Sequence, residues 1–437
     1  DREFDFSRGT RATFVGRNGL IQESGLTSAE LVNASTNNLS GWIDARSNAN
    51  LSIVNNNIRV NHVSGTTMGV STAITTIVGK TYSVKVNGTR NNTNGNFYVR
   101  VSSDSGLGAF VFELQNSNNS ISADATFVAT QTTHYVGTLA TLQGTNDYIQ
   151  ASLVSVKEIK LDVPRIDFTD DPTGHLLLEP QSTNLETESA ALTTGWFVKT
   201  GATSQIETSI TPFGVSGNVC KLTNATNNPP SWTDNSDALK KQYAVSATDP
   251  ASFYTFSVYV KSAGSTTINI QLRDNSSGPS VTTGLISLSS EWQRVTISKQ
   301  FTTSTTAVGV VIAGTDGDIL LADAQFEQQS YATSYIPTSG SISTRNQELC
   351  NNSGTVNDFN SEEGVLYAEY KIGGDSTDDF QIITLRNTNG NSEIIGIGKQ
   401  AYSNDIFIRL TIGSVNVFNN LSATPIDGYN KVAISYK

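Results

Sequence analysis

Charge is what this sequence has least of. Only 15% of its 437 residues are Asp, Glu, Lys or Arg, against about 25% in an ordinary soluble domain. The 28 basic residues are scattered and the net charge is −11. A nucleic acid needs a basic stripe to displace its counterions, so no nucleic-acid partner is expected. No apolar run approaches the roughly 18 to 20 residues that would span a bilayer, which excludes membrane insertion by a helix. The two cysteines, Cys220 and Cys350, cannot build a disulfide framework or a Cys-rich zinc site. They read either as one bridge or as two unrelated thiols. Histidine is equally sparse: His62, His134 and His175 lie far apart, without an HExxH or a paired spacing. Each reads as a surface or strand-end imidazole. There is no signal peptide, and Met68 is the sole methionine, so the numbering is expected to start inside a longer product.

What fills the space is Ser, Thr, Asn and Gly, beside 37% hydrophobic residues. That length and apolar content suit about three domains. Apolar residues recur with period two. Tyr82, Val84 and Val86 share one face of a segment, and Phe97-Tyr98-Val99-Arg100-Val101 repeats the scheme. So do Phe256 to Lys261, Thr267 to Leu272 and Val295 to Ile297. Alternate side chains of a strand point to opposite faces, so the pattern marks half-buried antiparallel strands. Polar clusters such as Asn91 to Asn96 read as turns between them. The one short helix the pattern allows lies near Asp237 to Tyr243. The chain is expected to be all-β.

The sequence also answers itself at offsets of one sandwich length. Asn38-Leu39-Ser40-Gly41-Trp42 pairs with Leu192-Thr193-Thr194-Gly195-Trp196, and Tyr82 to Val86 with Phe256 to Val260. Tyr148 to Leu153 pairs with Asp318 to Asp323. Two tandem antiparallel β-sandwiches follow, at 29–160 and 186–345, with about eight strands each, a jelly roll rather than an immunoglobulin fold. Residues 1–28 precede them and 161–185 connect them. The remaining segment, 346–437, has sandwich-type strands at Gly364 to Tyr370, Gln381 to Leu385, Ile406 to Leu410 and Lys431 to Tyr436. These are too few to close a sheet pair, so the chain is expected to stop mid-domain.

Three places resemble bacteriophage virion proteins, the modular tail-fibre and structural kind. The first is Phe6-Ser7-Arg8, Ala12-Thr13 and then Gly19-Leu20-Ile21. The second is Pro164-Arg165-Ile166-Asp167, followed by Leu177-Leu178-Glu179 and Thr183-Asn184-Leu185. The third is the second sandwich, closing on Phe326-Glu327, Tyr331-Ala332-Thr333-Ser334-Tyr335-Ile336-Pro337-Thr338 and Thr344-Arg345. In that family the first two motifs run almost together. Here about 140 residues separate them, which makes the first sandwich an inserted, divergent copy of the second. After Arg345, Glu363 to Glu369 resembles the start of a concanavalin-like (LamG-like) lectin domain. The resemblance implies a virion location, carbohydrate-binding-type modules, a homotrimer, other virion proteins as partners and a host surface glycan as target. Head and tail attachment stay open.

The chemistry points away from catalysis. Glycoside hydrolysis needs two carboxyls facing one cleft. The candidates Glu362 with Glu363, Asp378 with Asp379, and Glu369 are neighbours on opposite strand faces or solvated loop charges. A polysaccharide depolymerase is therefore the minor reading, beside a capsid-decoration or head-fibre protein. No cofactor is called for. Asp316 and Asp318, and Asp170 with Asp171, could offer oxygens to a structural Ca²⁺, but without EF-hand spacing. For a glycan, Trp42, Trp196 and Trp292 sit in strand contexts that suit packing. Trp232 differs, lying in the Pro-rich loop Asn228 to Asp234. Trp232, Asp234 and Asn235 are thus the expected glycan contacts.

Overall fold

The computed structural model describes residues 4–437 except 33–35, 48, 93, 142–143, 145, 193–194, 199–200, 226–237, 246–252, 275–279, 302–304, 315–316, 355–357, 359–361, 372–380, 387–392, 400–404 and 420–428. Every regular element among the described residues is a β-strand, and every named strand pair is antiparallel.

The first sandwich has two five-stranded sheets. Its front sheet runs, edge to edge, Phe110–Asn116, Phe97–Ser102, Thr133–Thr141, Thr67–Thr75 and Trp42–Asp44. Its back sheet runs Ser120–Val128, Thr81–Arg90, Tyr148–Glu158, Asn57–His62 and Ala49–Val54. In the second sandwich the front sheet runs Ser280–Thr282, Thr267–Asp274, Ala307–Gly314, Leu239–Ala244 and Phe197–Val198, with Ile286–Ser287 also on Thr267–Asp274. The back sheet runs Gln293–Gln300, Phe253–Ser262, Ile319–Glu327, Ser216–Thr223 and Thr203–Ile210. The two orders match strand for strand. Thr81–Arg90 and Phe253–Ser262 hold the same place, as do Tyr148–Glu158 and Ile319–Glu327. Even the bulge is shared: pairing to the central strand slips beside Ser152 in one copy and at Asp323–Ala324 in the other.

Each core lies between its two sheets, filled by the residues of period two. Tyr82, Val84 and Val86 face Phe97, Val99 and Val101 in the first. Phe256, Val258 and Val260 face Ile268, Ile270 and Leu272 in the second. The units carry more strands than the eight expected, because short edge strands add to each sheet. The segment expected as a short helix is instead the strand Leu239–Ala244, with residue 237 outside the described residues. Leu239 and Tyr243 fill the core and the pairing partner is Ala307–Gly314. Burial within the sheet overrides the helix propensity of Leu-Lys-Lys-Gln.

The N-terminal hairpin, Thr13–Val15 with Ile21–Glu23, is wedged between the sandwiches. Ile21 is buried among Tyr259, Tyr335, Phe213 and Trp292. Arg165–Asp167 pairs with His175–Leu177 through the expected Asp171 to Gly174 turn. In the last region Gly364–Lys371 pairs with Tyr429–Tyr436, beside a four-stranded sheet from Gln381–Arg386 to Val415–Asn419.

Candidate functional site

The family-like motifs meet in one place, and it is a structural latch. Arg165 is fully buried and donates from Nε to Glu348 Oε1 (2.8 Å), from Nη2 to Glu179 Oε2 (2.8 Å) and to the other Glu348 oxygen, and from Nη1 to the Thr13 carbonyl (2.6 Å). Arg8 adds a 2.8 Å ion pair to Glu348, and Arg345 reaches Glu179 at 3.4 Å. Ser334 donates to Glu179 from both its amide and its hydroxyl. Burial alone would raise the Glu179 carboxyl, but Arg345, Arg165 and Ser334 hold it down at about 2. Nearby, Asn184 bridges the Ala324 and Ile336 carbonyls. The charged side chains of Arg8, Arg165, Glu179, Arg345 and Glu348 are all buried, so the latch holds chain segments together.

The face that can meet a ligand is the outward side of the first sandwich's front sheet. Phe97, Val99 and Val101 turn into the core, so Tyr98, Arg100 and Ser102 must turn out. Across the sheet, Ser102 lies opposite Tyr135 on one side and Phe110 on the other, while Arg100 lies opposite Glu113 and Gly137. Phe110 is 47% exposed and Tyr98 and Tyr135 are half-buried. Arg100 lies over Tyr98 (4.4 Å) and Phe110 (4.6 Å), a cation–π stack. Its charge is met by Glu113, which accepts from Nε at 2.7 Å. Asn96 Nδ2 donates to the Tyr98 hydroxyl at 3.1 Å. The result is a flat aromatic strip bordered by an amide and a neutralised ion pair, with no net charge.

The loop 103–109 folds onto this strip. Asp104 accepts from Gly108 N and from the Ser102 hydroxyl (3.0 Å). Burial opposes its charge, but the amides of Ala109, Gly108 and Gly106 and the Ser102 hydroxyl hold the carboxyl below the usual range. Leu107 is wholly buried with Ala45 and Leu139, packed by Tyr98 and Tyr135. It adopts φ +59°, a left-handed conformation costing a non-glycine residue about 1–2 kcal/mol.

The same face of the second sandwich is built differently. Asn269, Gln271 and Arg273 stand where Tyr98, Arg100 and Ser102 do, opposite Ala313, Val311 and Gly309. Ala238, Val311 and Ala313 make a small buried apolar patch there. The expected contacts Trp232, Asp234 and Asn235 lie outside the described residues, although Ala238, the first described residue after them, belongs to this patch.

The other expectations resolve one by one. Trp42 is buried in the first core, and Trp196 packs on the second while donating to Glu186 at 2.9 Å. Trp292 donates to the Ile210 carbonyl (2.7 Å) and packs on Val219 and Leu320. Cys220 and Cys350 are both free. Asp318 pairs with Lys221 at 2.8 Å, whereas Asp316, Asp378 and Asp379 lie outside the described residues. Asp170 pairs with Lys371, Glu363 with Lys437 and Glu369 with Lys431, all at the surface. Two features are not read from the sequence. One is the buried Glu186, which accepts from Lys241 Nζ (2.7 Å) and the Tyr243 hydroxyl (2.6 Å); a lysine at the inward parity of Leu239, Lys241 and Tyr243 signals it. The other is the Tyr98 face, signalled by aromatics at outward parity.

No family model matches the chain, and no curated protein matches it. Among solved structures it is similar to the tandem CBM22-1–CBM22-2 domain of Paenibacillus barcinonensis Xyn10C, at 9% identity and a TM-score of 0.24, over 69% of this chain and 98% of that one. A CBM4 structure is similar at 18% identity and a TM-score of 0.22, over 31% of this chain and 86% of that one. A putative sugar-binding protein from Bacteroides thetaiotaomicron VPI-5482 is similar at 11% and 0.22, over 33% and 95%.

Proposed function

We propose that this chain is a non-enzymatic fibre protein of a bacteriophage virion, of tail-fibre or receptor-binding type, that presents glycan-binding sandwiches to the host bacterial surface. The observation that carries glycan binding is the outward strip of Tyr98, Phe110 and Tyr135 with Arg100, Glu113 and Asn96 at its border. Aromatic faces suit the C–H face of a sugar ring, and bordering amide and carboxylate groups suit its hydroxyls. The virion part rests on the sequence resemblance. Its motif residues Arg8, Arg165, Glu179 and Arg345 are those of the buried latch. A homotrimer, further virion partners and a lectin-like last region belong to the same reading.

A capsid-decoration or head-fibre role is the second reading, favoured by the tyrosine strip being covered by Leu107. Binding of the purified chain to host surface polysaccharide, compared with Tyr98→Ala and Tyr135→Ala, tests the first. Equal binding by all three proteins would remove this face from the reading, and shortened polysaccharide would overturn the non-enzymatic part. Immunogold labelling of particles separates tail from capsid.

A further inference from the structure

The strip is filled by the chain itself, and we propose that the loop 103–109 is a movable cover that an uncharged oligosaccharide must displace to reach Tyr98 and Tyr135. The inference rests on the glycan-binding reading of this face and adds to it the ligand class and a means of regulation.

Leu107 is buried with Ala45 and Leu139 in a cluster against which Tyr98 and Tyr135 pack, so its side chain uses tyrosine surface that a sugar ring would need. Its left-handed backbone, at φ +59°, is one that few residues other than glycine adopt. The flanking Gly106 and Gly108 give the loop freedom to take another path. Two kinds of contact pin it to the sheet. One is the apolar burial of Leu107 among Ala45, Leu139, Tyr98 and Tyr135. The other is polar and replaceable: the Ser71 hydroxyl donates to the Ser105 carbonyl (2.8 Å), Gln131 Nε2 to the Ser103 carbonyl (2.9 Å) and Arg100 Nη1 to the Leu107 carbonyl (2.9 Å). Sugar hydroxyls can accept from those same donors. Within the loop, Asp104 holds the amides of Gly108 and Ala109, and Ser103 N donates to the Ala109 carbonyl at 2.9 Å. The loop is therefore internally tied and suited to move as a unit.

The ligand class follows from the strip's charge and length. Arg100 is neutralised by Glu113, so nothing on the strip favours an acidic sugar. Tyr135 pairs with Ser102, four residues along the strand from Tyr98 and one strand over. Their backbones are thus about 14 Å apart, a span for several sugar units rather than one.

The test uses the whole chain, Leu107→Gly and Asp104→Ala, with cellohexaose, xylohexaose and laminarihexaose as neutral probes in calorimetry. In parallel, tetranitromethane nitration of Tyr98 and Tyr135 is mapped by mass spectrometry, with the buried Tyr82 and Tyr254 reporting an intact fold. Both variants are expected to nitrate Tyr98 and Tyr135 faster. At least one hexaose should bind Leu107→Gly about tenfold tighter than the parent, because a covered site reduces apparent affinity by its open fraction. Unchanged nitration in both variants, or weaker hexaose binding by Leu107→Gly, would overturn the cover. Faster nitration with no hexaose bound by any of the three proteins would overturn the glycan reading, and the ligand half of this inference with it.

Discussion

Arg165 and Glu348, 183 positions apart, share two hydrogen bonds with neither side chain reaching solvent. The pair closes a loop of chain that contains the whole second sandwich. Burying two ions costs several kcal/mol each, which their attraction offsets only when every donor and acceptor is matched. Here Glu348 also takes Arg8 and the Glu179 amide (3.0 Å), while Arg165 also takes Thr13 and Ser334.

Removing one partner should therefore be severe. Glu348→Ala leaves two buried guanidiniums facing a void and is expected to cost about 3–5 kcal/mol. Chemical denaturation should show it as an early loss of the contact among the N-terminal segment, the 165–179 connection and the segment after the second sandwich. Lys371→Ala breaks the surface pair with Asp170 and should leave the midpoint unchanged, since exposed pairs contribute little. Similar midpoints for the two variants would refute the latch.

Two carboxyls of the junction oppose Glu179 in their pH behaviour. Burial pushes Asp323 up to about 7 against the pull of the Tyr335 hydroxyl and Lys85, with Asp124 adding to the rise and Arg294 opposing it. Burial also pushes Glu188 up to about 7, against the Gly340 amide. Both folded values lie above the unfolded ones, so their stabilising contribution is full below about pH 4 and fades as pH rises through about 7. Glu179 runs the other way: its contribution is present above about pH 4.5 and is lost as pH falls through about 2. Melting temperature should decline from pH 5 to 8, and the decline should be shallower in Asp323→Asn. A parallel decline in the variant would assign the slope to the acidic surface as a whole.

The cysteines give a simple chemical check. Cys220 lies in the second core, where burial pushes its thiol up to about 12, and Cys350 is half-buried in the strand Leu349–Asn351. Native alkylation with iodoacetamide is expected to modify Cys350 and spare Cys220. Mass spectrometry without reductant should find both thiols. A mass two units low, from a bridge, would contradict this arrangement.

How much of this could be read in the sequence depends on distance along the chain. Strand faces such as Tyr82, Val84 and Val86 are local, so period two reveals them. The duplicated strand order follows from Trp42 with Trp196 and Tyr82 to Val86 with Phe256 to Val260. Leu239 to Tyr243 misleads because its helix propensity is local while the sheet that recruits it is not. The latch is less legible still: Arg8, Arg165 and Arg345 stand in motifs, but Glu348 does not, and its partners lie 183 and 340 positions away. Tyr98 is hidden by its neighbours, since an aromatic among Phe97, Val99 and Val101 reads as core until its parity is followed outward. The expected contact loop around Trp232 lies outside the described residues.

The first sandwich leaves and rejoins the chain at one point. Lys160 N donates to the Gly25 carbonyl (3.0 Å), Leu26 bridges Ile159, and Ser24 Oγ donates to the Val163 carbonyl (2.8 Å). A Cβ on Gly25 would lie 2.0 Å from the Lys160 carbonyl oxygen, so only glycine lets the two strands come this close, and its φ of +75° asks for glycine as well. The latch, by contrast, uses residues on both sides of the sandwich but none within it. Deleting residues 26–159 and joining Gly25 to Lys160 through a short Gly-Ser link should leave a chain that keeps the second sandwich's melting transition and the Arg165–Glu348 pair. The deletion exposes the surface where Leu114 meets Gly340 and Lys85 lies over Phe213 (5.0 Å), so a modest loss of stability is expected. Circular dichroism with thermal melting decides it. A deletion protein without a cooperative transition would show that the first sandwich is part of the fold of the rest and not an insertion into it.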